Sequence, residues 1–113
     1  MKVGWLSRHQ WTEDQKKDLA KGLGIKEGEI ELSQEAATFN SSKEIVSMIK
    51  EKNYKEAVVV LPINLIGDLL KEGIQPLRAF MIRKLNEDGT VTFNHSHFER
   101  VIKVEVETKR LGE

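Results

Sequence analysis

The sequence predicts an α/β fold, built on a parallel sheet with antiparallel strands added at its C-terminal end. Three observations carry this. Strand-like and helix-like segments alternate through the first two thirds of the chain, the pattern of βα units. Residues Ala57 to Leu61 are continuously apolar, as a strand covered by helices on both faces must be. The last third lacks helical spacing and reads as a hairpin followed by an alternating strand. Together they describe a single Rossmann-like, flavodoxin-like domain over residues 1–113, with strand order about 2-1-3-4 before the antiparallel additions.

The elements follow in order. Lys2 to Leu6 is a strand entering a core, with Trp5 as a core residue. Thr12 and Gln15 form a capping-box pair, and Glu13 and Asp14 suit the positive end of the helix dipole. That helix runs to Lys21 and stops at Gly22 and Gly24. Glu29 to Leu32 is the second strand. Ser41 and Glu44 repeat the capping pattern, Ile45, Val46 and Ile49 share one helical face, and Asn53 is the C-cap. Pro62 ends the third strand, and Asn64 caps a helix with Ile66, Leu69 and Leu70 turned inward and Gly73 as its stop. Leu77 to Leu85 is the fourth strand, Asn86 to Gly89 a turn, and Thr90 to Phe93 its hairpin partner. A polar bend at Asn94 to His97 leads to a last strand, Phe98 to Glu107, with Ile102, Val104 and Val106 on one face and Val101, Lys103, Glu105 and Glu107 on the other.

Composition excludes several function classes. The 18 Lys+Arg balance the 18 Asp+Glu, which argues against coating long nucleic acid by bulk charge. An aromatic share of 6% speaks against a single-strand reader built on stacked bases. The absence of cysteine removes disulfides, thiolate metal sites and a Cys nucleophile. No apolar run reaches 18 residues, so a membrane-spanning helix is not expected. The N-terminus lacks a signal-peptide core, and the composition suits a soluble, cytoplasmic domain. No G-x-G-x-x-G follows the first strand, and there is neither a P-loop nor a G-x-S-x-G elbow, so no cofactor is expected.

Fold physics locates a site before any motif does. In open α/β sheets, ligands bind beyond the carboxyl ends of the strands, where the strand order reverses. Here that point lies between strands 1 and 3, flanked by Ser7-Arg8-His9-Gln10 and Pro62-Ile63-Asn64. Arg8 offers a bidentate grip on phosphate, and His9 a proton donor or acceptor near neutral pH. The plain alternative is that Ser7 and His9 satisfy turn bonds and Arg8 is a solvated charge. Gly73 to Asn86 contains no acid but holds Arg78, Arg83 and Lys84. Arg78 reads as a charge guarding a sheet edge, and Arg83 and Lys84 as anion contacts on the site's rim. His95 and His97 share a face if the strand is regular, and with His9 they number three imidazoles. No carboxylate ligand accompanies them, so the expectation is no metal.

Taken together, Leu6-Ser7-Arg8-His9-Gln10-Trp11-Thr12-Glu13-Asp14-Gln15, Gly73-Ile74-Gln75-Pro76, Arg83-Lys84 and Asp88-Gly89-x-x-x-Phe93-x-His95-x-x-Phe98 form a recognisable layout. It resembles the small CRISPR-associated Rossmann-like proteins of type III systems, which are related to the CRISPR-associated Rossmann-fold sensor domains. Met81 and Ile82 stand where that family often carries threonines, and residues 39–55 lack its landmarks. The resemblance implies a homodimer that binds, and often degrades, a cyclic oligoadenylate second messenger without a metal.

Cleavage would use a ribose 2′-OH against the adjacent phosphate, with His9 as acid or base and Arg8, Arg83 and Lys84 stabilising charge. The expected ligand contacts are Ser7, Arg8, Gln10, Thr12, Asn64, His95 and His97, with either of the last two able to replace His9 if the C-terminal strand folds over the rim. Two other functions stay open: a sensor or sponge that binds the nucleotide without cutting it, and an α/β scaffold that binds protein.

Overall fold

In the computed structural model, which describes residues 1–104 and 111–112, five strands form one sheet in the order β2-β1-β3-β4-β5. The elements are β1 (Lys2–Leu6), α1 (Glu13–Gly22), a 3-10 turn (Glu27–Glu29), β2 (Glu31–Gln34), α2 (Ser42–Lys52), β3 (Glu56–Val59), α3 (Ile63–Lys71), β4 (Leu77–Leu85) and β5 (Val91–Arg100). β2, β1, β3 and β4 run parallel, and β5 returns antiparallel to β4. The fold class and strand order are those the sequence predicts.

Two cores lie on opposite faces of the sheet. Val3, Trp5, Val58 and Leu77 pack with Leu19 and Ala20 of α1 on one face. Leu6, Ala57 and Val59 pack with Ile45 of α2 and Ile66 and Leu69 of α3 on the other. Successive residues of β3 thus bury into different cores, which is why that segment is apolar throughout. Gly4 sits in β1 because Tyr54 crosses the strand there: a Cβ at residue 4 would lie 2.9 Å from Tyr54 Cδ2.

Local signals place the helix ends. Thr12 Oγ1 accepts from Gln15 N–H at 3.1 Å, and Gln15 Oε1 accepts from Thr12 N–H at 2.9 Å, a complete capping box. Ser41 caps α2 through Glu44 N–H, and Asn53 ends it in the left-handed region at φ 58°.

The structure corrects five details. β2 begins at Glu31 because the preceding residues wind into the 3-10 turn. β3 ends at Val59, leaving Val60 exposed. Pro62, not Asn64, is the N-cap of α3, because the proline's extended backbone already starts the helix one residue later.

The expected bend at Asn94–His97 is absent. β5 is continuous from Val91 to Arg100 and absorbs one extra residue as a bulge at Ser96, since Phe80 pairs with His97 and Met81 with His95. Beyond Arg100, Val101 and Val104 pack against a core while Ile102 is exposed, reversing part of the expected alternation. Val106, Glu105 and Glu107 lie outside the described residues.

Candidate functional site

The carboxyl ends of β1 and β3 frame a crevice of about 330 Å³ at the reversal of strand order. Ser7, Arg8 and His9 line it from the β1 loop, Thr38 and Phe39 from the segment after β2, and Val60 to Pro62 from the end of β3. No acidic residue is among those lining it.

The β1 loop is held by side chains that bond to its backbone. Ser7 is buried, and its hydroxyl accepts from the His9 N–H at 3.1 Å. The Trp5 indole N–H donates to the His9 carbonyl at 2.7 Å, and the Gln34 side-chain amide donates to the Ser7 carbonyl at 3.0 Å. With both backbone groups of His9 engaged, its imidazole is presented outward from a fixed turn. Across the crevice, Arg8 Nη2 donates to Thr38 Oγ1 at 2.6 Å. That partner is neutral, so among the described residues the guanidinium has no carboxylate neutralising it and keeps donors for an anion.

α3 opens beside the crevice with no side-chain cap. Leu65 N–H and Ile66 N–H bond to the Pro62 carbonyl, while the first N–H groups of the helix have no intrahelical acceptor. The dipole of α3 therefore adds positive potential at the same end of the sheet as Arg8.

The structure unites Ser7, Arg8 and His9 and separates the other candidates. Gln10 is exposed outside the crevice lining. Thr12 is committed to the capping box. Asn64 lines a neighbouring groove with Ile63 and Gly67.

Arg83 and Lys84 do not sit on the rim. β4 pairs with β3 only at Leu77–Val58 and then continues with β5 as a two-stranded arm. At about 3.3 Å per residue, Arg83 stands about 20 Å along the strand from that pair.

The two late histidines face opposite sides, because the Ser96 bulge breaks the alternation between them. His95 turns toward α1: its Nε2 is 2.8 Å from Asp18 Oδ2, its ring is 4.8 Å from that of Phe98, and its side chain is 10% exposed. His97 stacks on Phe80 on the other face, at 5.1 Å and an interplanar angle of 3°, with Nε2 2.6 Å from Glu99 Oε2. Among the described residues, no three His, Asp or Glu side chains gather as a metal set.

Thr38 and Phe39 are site residues that sequence reasoning missed. Their signal was the strand order itself, since order 2-1-3 puts the loop after strand 2 beside the loop after strand 1. A second polar cluster also went unread. Glu35 accepts from Tyr54 Oη at 2.7 Å and is bridged by Lys52 Nζ. Burial works to raise the Glu35 pKa, but the hydrogen bonds from Lys52 and Tyr54 and the ammonium charge outweigh it and hold the carboxyl below its ordinary value.

No helix among the described residues is long and apolar enough to cross a membrane. Comparison with protein-family models, with curated proteins and with solved structures finds no match.

Proposed function

We propose that this chain binds a cyclic oligoadenylate, cyclic tetra-adenylate first among them, at the crevice between β1 and β3, and opens the ring there as part of type III CRISPR signalling. The observation that carries the binding half is the convergence of Arg8, His9 and buried Ser7 on one crevice with no acidic lining, with Pro62, the N-cap of α3, at its edge. Those are donors and positive potential without a competing carboxylate, which is what a phosphodiester requires. A crevice of about 330 Å³ is at the small end for ligand sites. It holds part of a four-nucleotide ring, and a second copy related by a two-fold axis supplies the matching half-site.

In the cleavage step, a ribose 2′-oxygen forms a bond to the adjacent phosphorus and loses its proton. The bond from phosphorus to the 5′-oxygen breaks, and that oxygen takes up a proton. His9 handles one of the two protons, and Arg8 stabilises charge on the phosphorane oxygens. Arg83 and Lys84 enter this reading only if a second copy brings them, given their place on the arm. That placement favours a second reading, a sensor or sponge that binds the ring and leaves it intact.

The test is incubation of radiolabelled cyclic tetra-adenylate with the protein in EDTA. Linear product from the native chain, lost in His9→Ala with binding retained, is the expected result. Intact ligand with a mobility shift supports the sponge. No binding and no cleavage overturn both nucleotide readings and leave a protein-binding scaffold.

A further inference from the structure

The crevice between β1 and β3 is lined in two chemistries. Its hydrogen-bonding side chains, Ser7, Arg8 and His9, come from the β1 loop and are joined by Thr38. Phe39 and Leu61 bring apolar surface to the same space, and both also pack against the core that holds Ile45 of α2 and Ile66 of α3. A free phosphate needs only the first set. Donors beside an apolar wall fit an anion that carries a flat, less polar group, which is the make-up of a nucleotide.

Phe39 brings the only phenyl ring to the residues lining the crevice, and it is held before any ligand arrives. It is half-buried, packed against the core and lining the crevice at once. The segment that carries it is tied at both ends. Glu35 N–H donates to the Trp5 carbonyl at 2.8 Å, and the Glu35 carboxylate accepts from Tyr54 Oη at 2.7 Å. Asn40 N–H donates to Glu44 Oε2 at 3.0 Å. Between the ties, Ala36 and Ala37 carry only methyl groups. Thr38 accepts from Arg8 Nη2 at 2.6 Å, so the phosphate grip and the ring meet at consecutive residues of one segment. A ring fixed in this way loses little freedom on binding, and every nucleobase has a π-face to lay on it.

We propose that Phe39 is the base-binding residue of this crevice, the ring on which a nucleotide's base stacks while Arg8 holds its phosphate. This rests on the reading of the crevice as a nucleotide site, and it assigns the part of the ligand that Ser7, Arg8 and His9 leave without a partner. It makes Phe39 the residue that tells a nucleotide from a sugar phosphate. AMP and ribose 5-phosphate are the probes, because they share phosphate and sugar and neither has a ring of phosphodiesters to open. NMR titration of the ¹⁵N-labelled full chain in EDTA gives each dissociation constant. The native chain is expected to bind AMP about 5- to 150-fold more tightly than ribose 5-phosphate, the range for one stacked base. Phe39→Ala is expected to remove that difference by weakening AMP alone. Phe39→Tyr is expected to keep it, and Arg8→Ala to weaken both ligands.

Phe39→Leu keeps an apolar side chain against the core and removes the ring, so it separates stacking from packing. It is expected to lose most of the preference for AMP. Near-UV circular dichroism from the Trp5–Trp11 edge contact reports that each variant is folded. Equal affinity of the native chain for AMP and ribose 5-phosphate overturns the proposal, and so does a preference that survives both Phe39→Ala and Phe39→Leu. Cyclic tetra-adenylate, titrated into the same variants, separates this proposal from the one it rests on. A chain that prefers AMP through Phe39 but does not bind cyclic tetra-adenylate overturns the cyclic ligand and supports the base site. A chain that binds cyclic tetra-adenylate equally with and without Phe39 retains the cyclic ligand and overturns the base site.

Discussion

Gly4→Ala puts a single methyl group into the tightest place in the sheet. The new Cβ would stand 2.9 and 3.0 Å from Tyr54 Cδ2 and Cε2 and 3.1 Å from Leu6 Cδ1. Leu6 is itself buried in the core of α2 and α3, so it has little room to turn away. Tyr54 is buried too, and its hydroxyl is tied to Glu35 at 2.7 Å, so the ring cannot retreat without stretching that bond. Overpacking of this kind costs about 1–3 kcal/mol. Replacing glycine in a strand returns about 0.5–1 kcal/mol of backbone entropy. Taking the middle of each range, the net destabilisation is about 1.3 kcal/mol. For 113 residues the unfolding entropy is about 0.24 kcal/mol/K, so Tm should fall by about 5 °C.

The assay is thermal unfolding followed by far-UV circular dichroism, with urea midpoints as a check. Tyr54→Phe removes the tether, so in that background the penalty for Gly4→Ala should shrink by about 0.5 kcal/mol or more. An unchanged or higher Tm for Gly4→Ala would refute the close-approach argument. An undiminished penalty beside Tyr54→Phe would refute the role of the hydroxyl.

Arg8→Ala should weaken cyclic tetra-adenylate binding by about 10–150-fold in a titration, the loss of a charged hydrogen-bonding group, while Lys84→Ala should change it little unless a second copy delivers that lysine. Thr12→Ala removes half of the capping box and should cost about 1 kcal/mol in urea denaturation, with Thr12→Ser close to native. Because the folded Glu35 pKa lies below its ordinary 4.5, its contribution to stability is present above that value and is lost as pH falls through the lowered one. Urea midpoints of the native chain should therefore drop on acidification, and Glu35→Gln should flatten that slope.

What was legible in the sequence is what short-range chemistry encodes. The capping box at Thr12 and Gln15, the left-handed cap at Asn53 and the two-faced burial of Ala57 to Val59 each follow from a few neighbouring residues. Alternating periodicities then imply the layers, and the layers imply the reversal point where Ser7, Arg8 and His9 meet. Asn64 misled because a polar residue near a helix start resembles a cap, and only the backbone reveals that Pro62 occupies the position.

Tertiary structure alone decided the rest. A strand's side-chain period says that His95 and His97 share a face, and one bulged residue, set by pairing with β4, sends them to opposite faces. Nothing in Leu77–Leu85 reveals how far its neighbour β3 extends, so Arg83 and Lys84 read as rim residues until the single Leu77–Val58 pair sets them on an arm. The contact of Arg8 with Thr38 joins residues 30 apart, which no local pattern contains. Composition and periodicity constrain each element against water, and those constraints were enough to determine the sheet and the place of its crevice. Register, bulges and the ends of neighbouring strands are settled between elements, and they decided which of the candidate residues actually stand together.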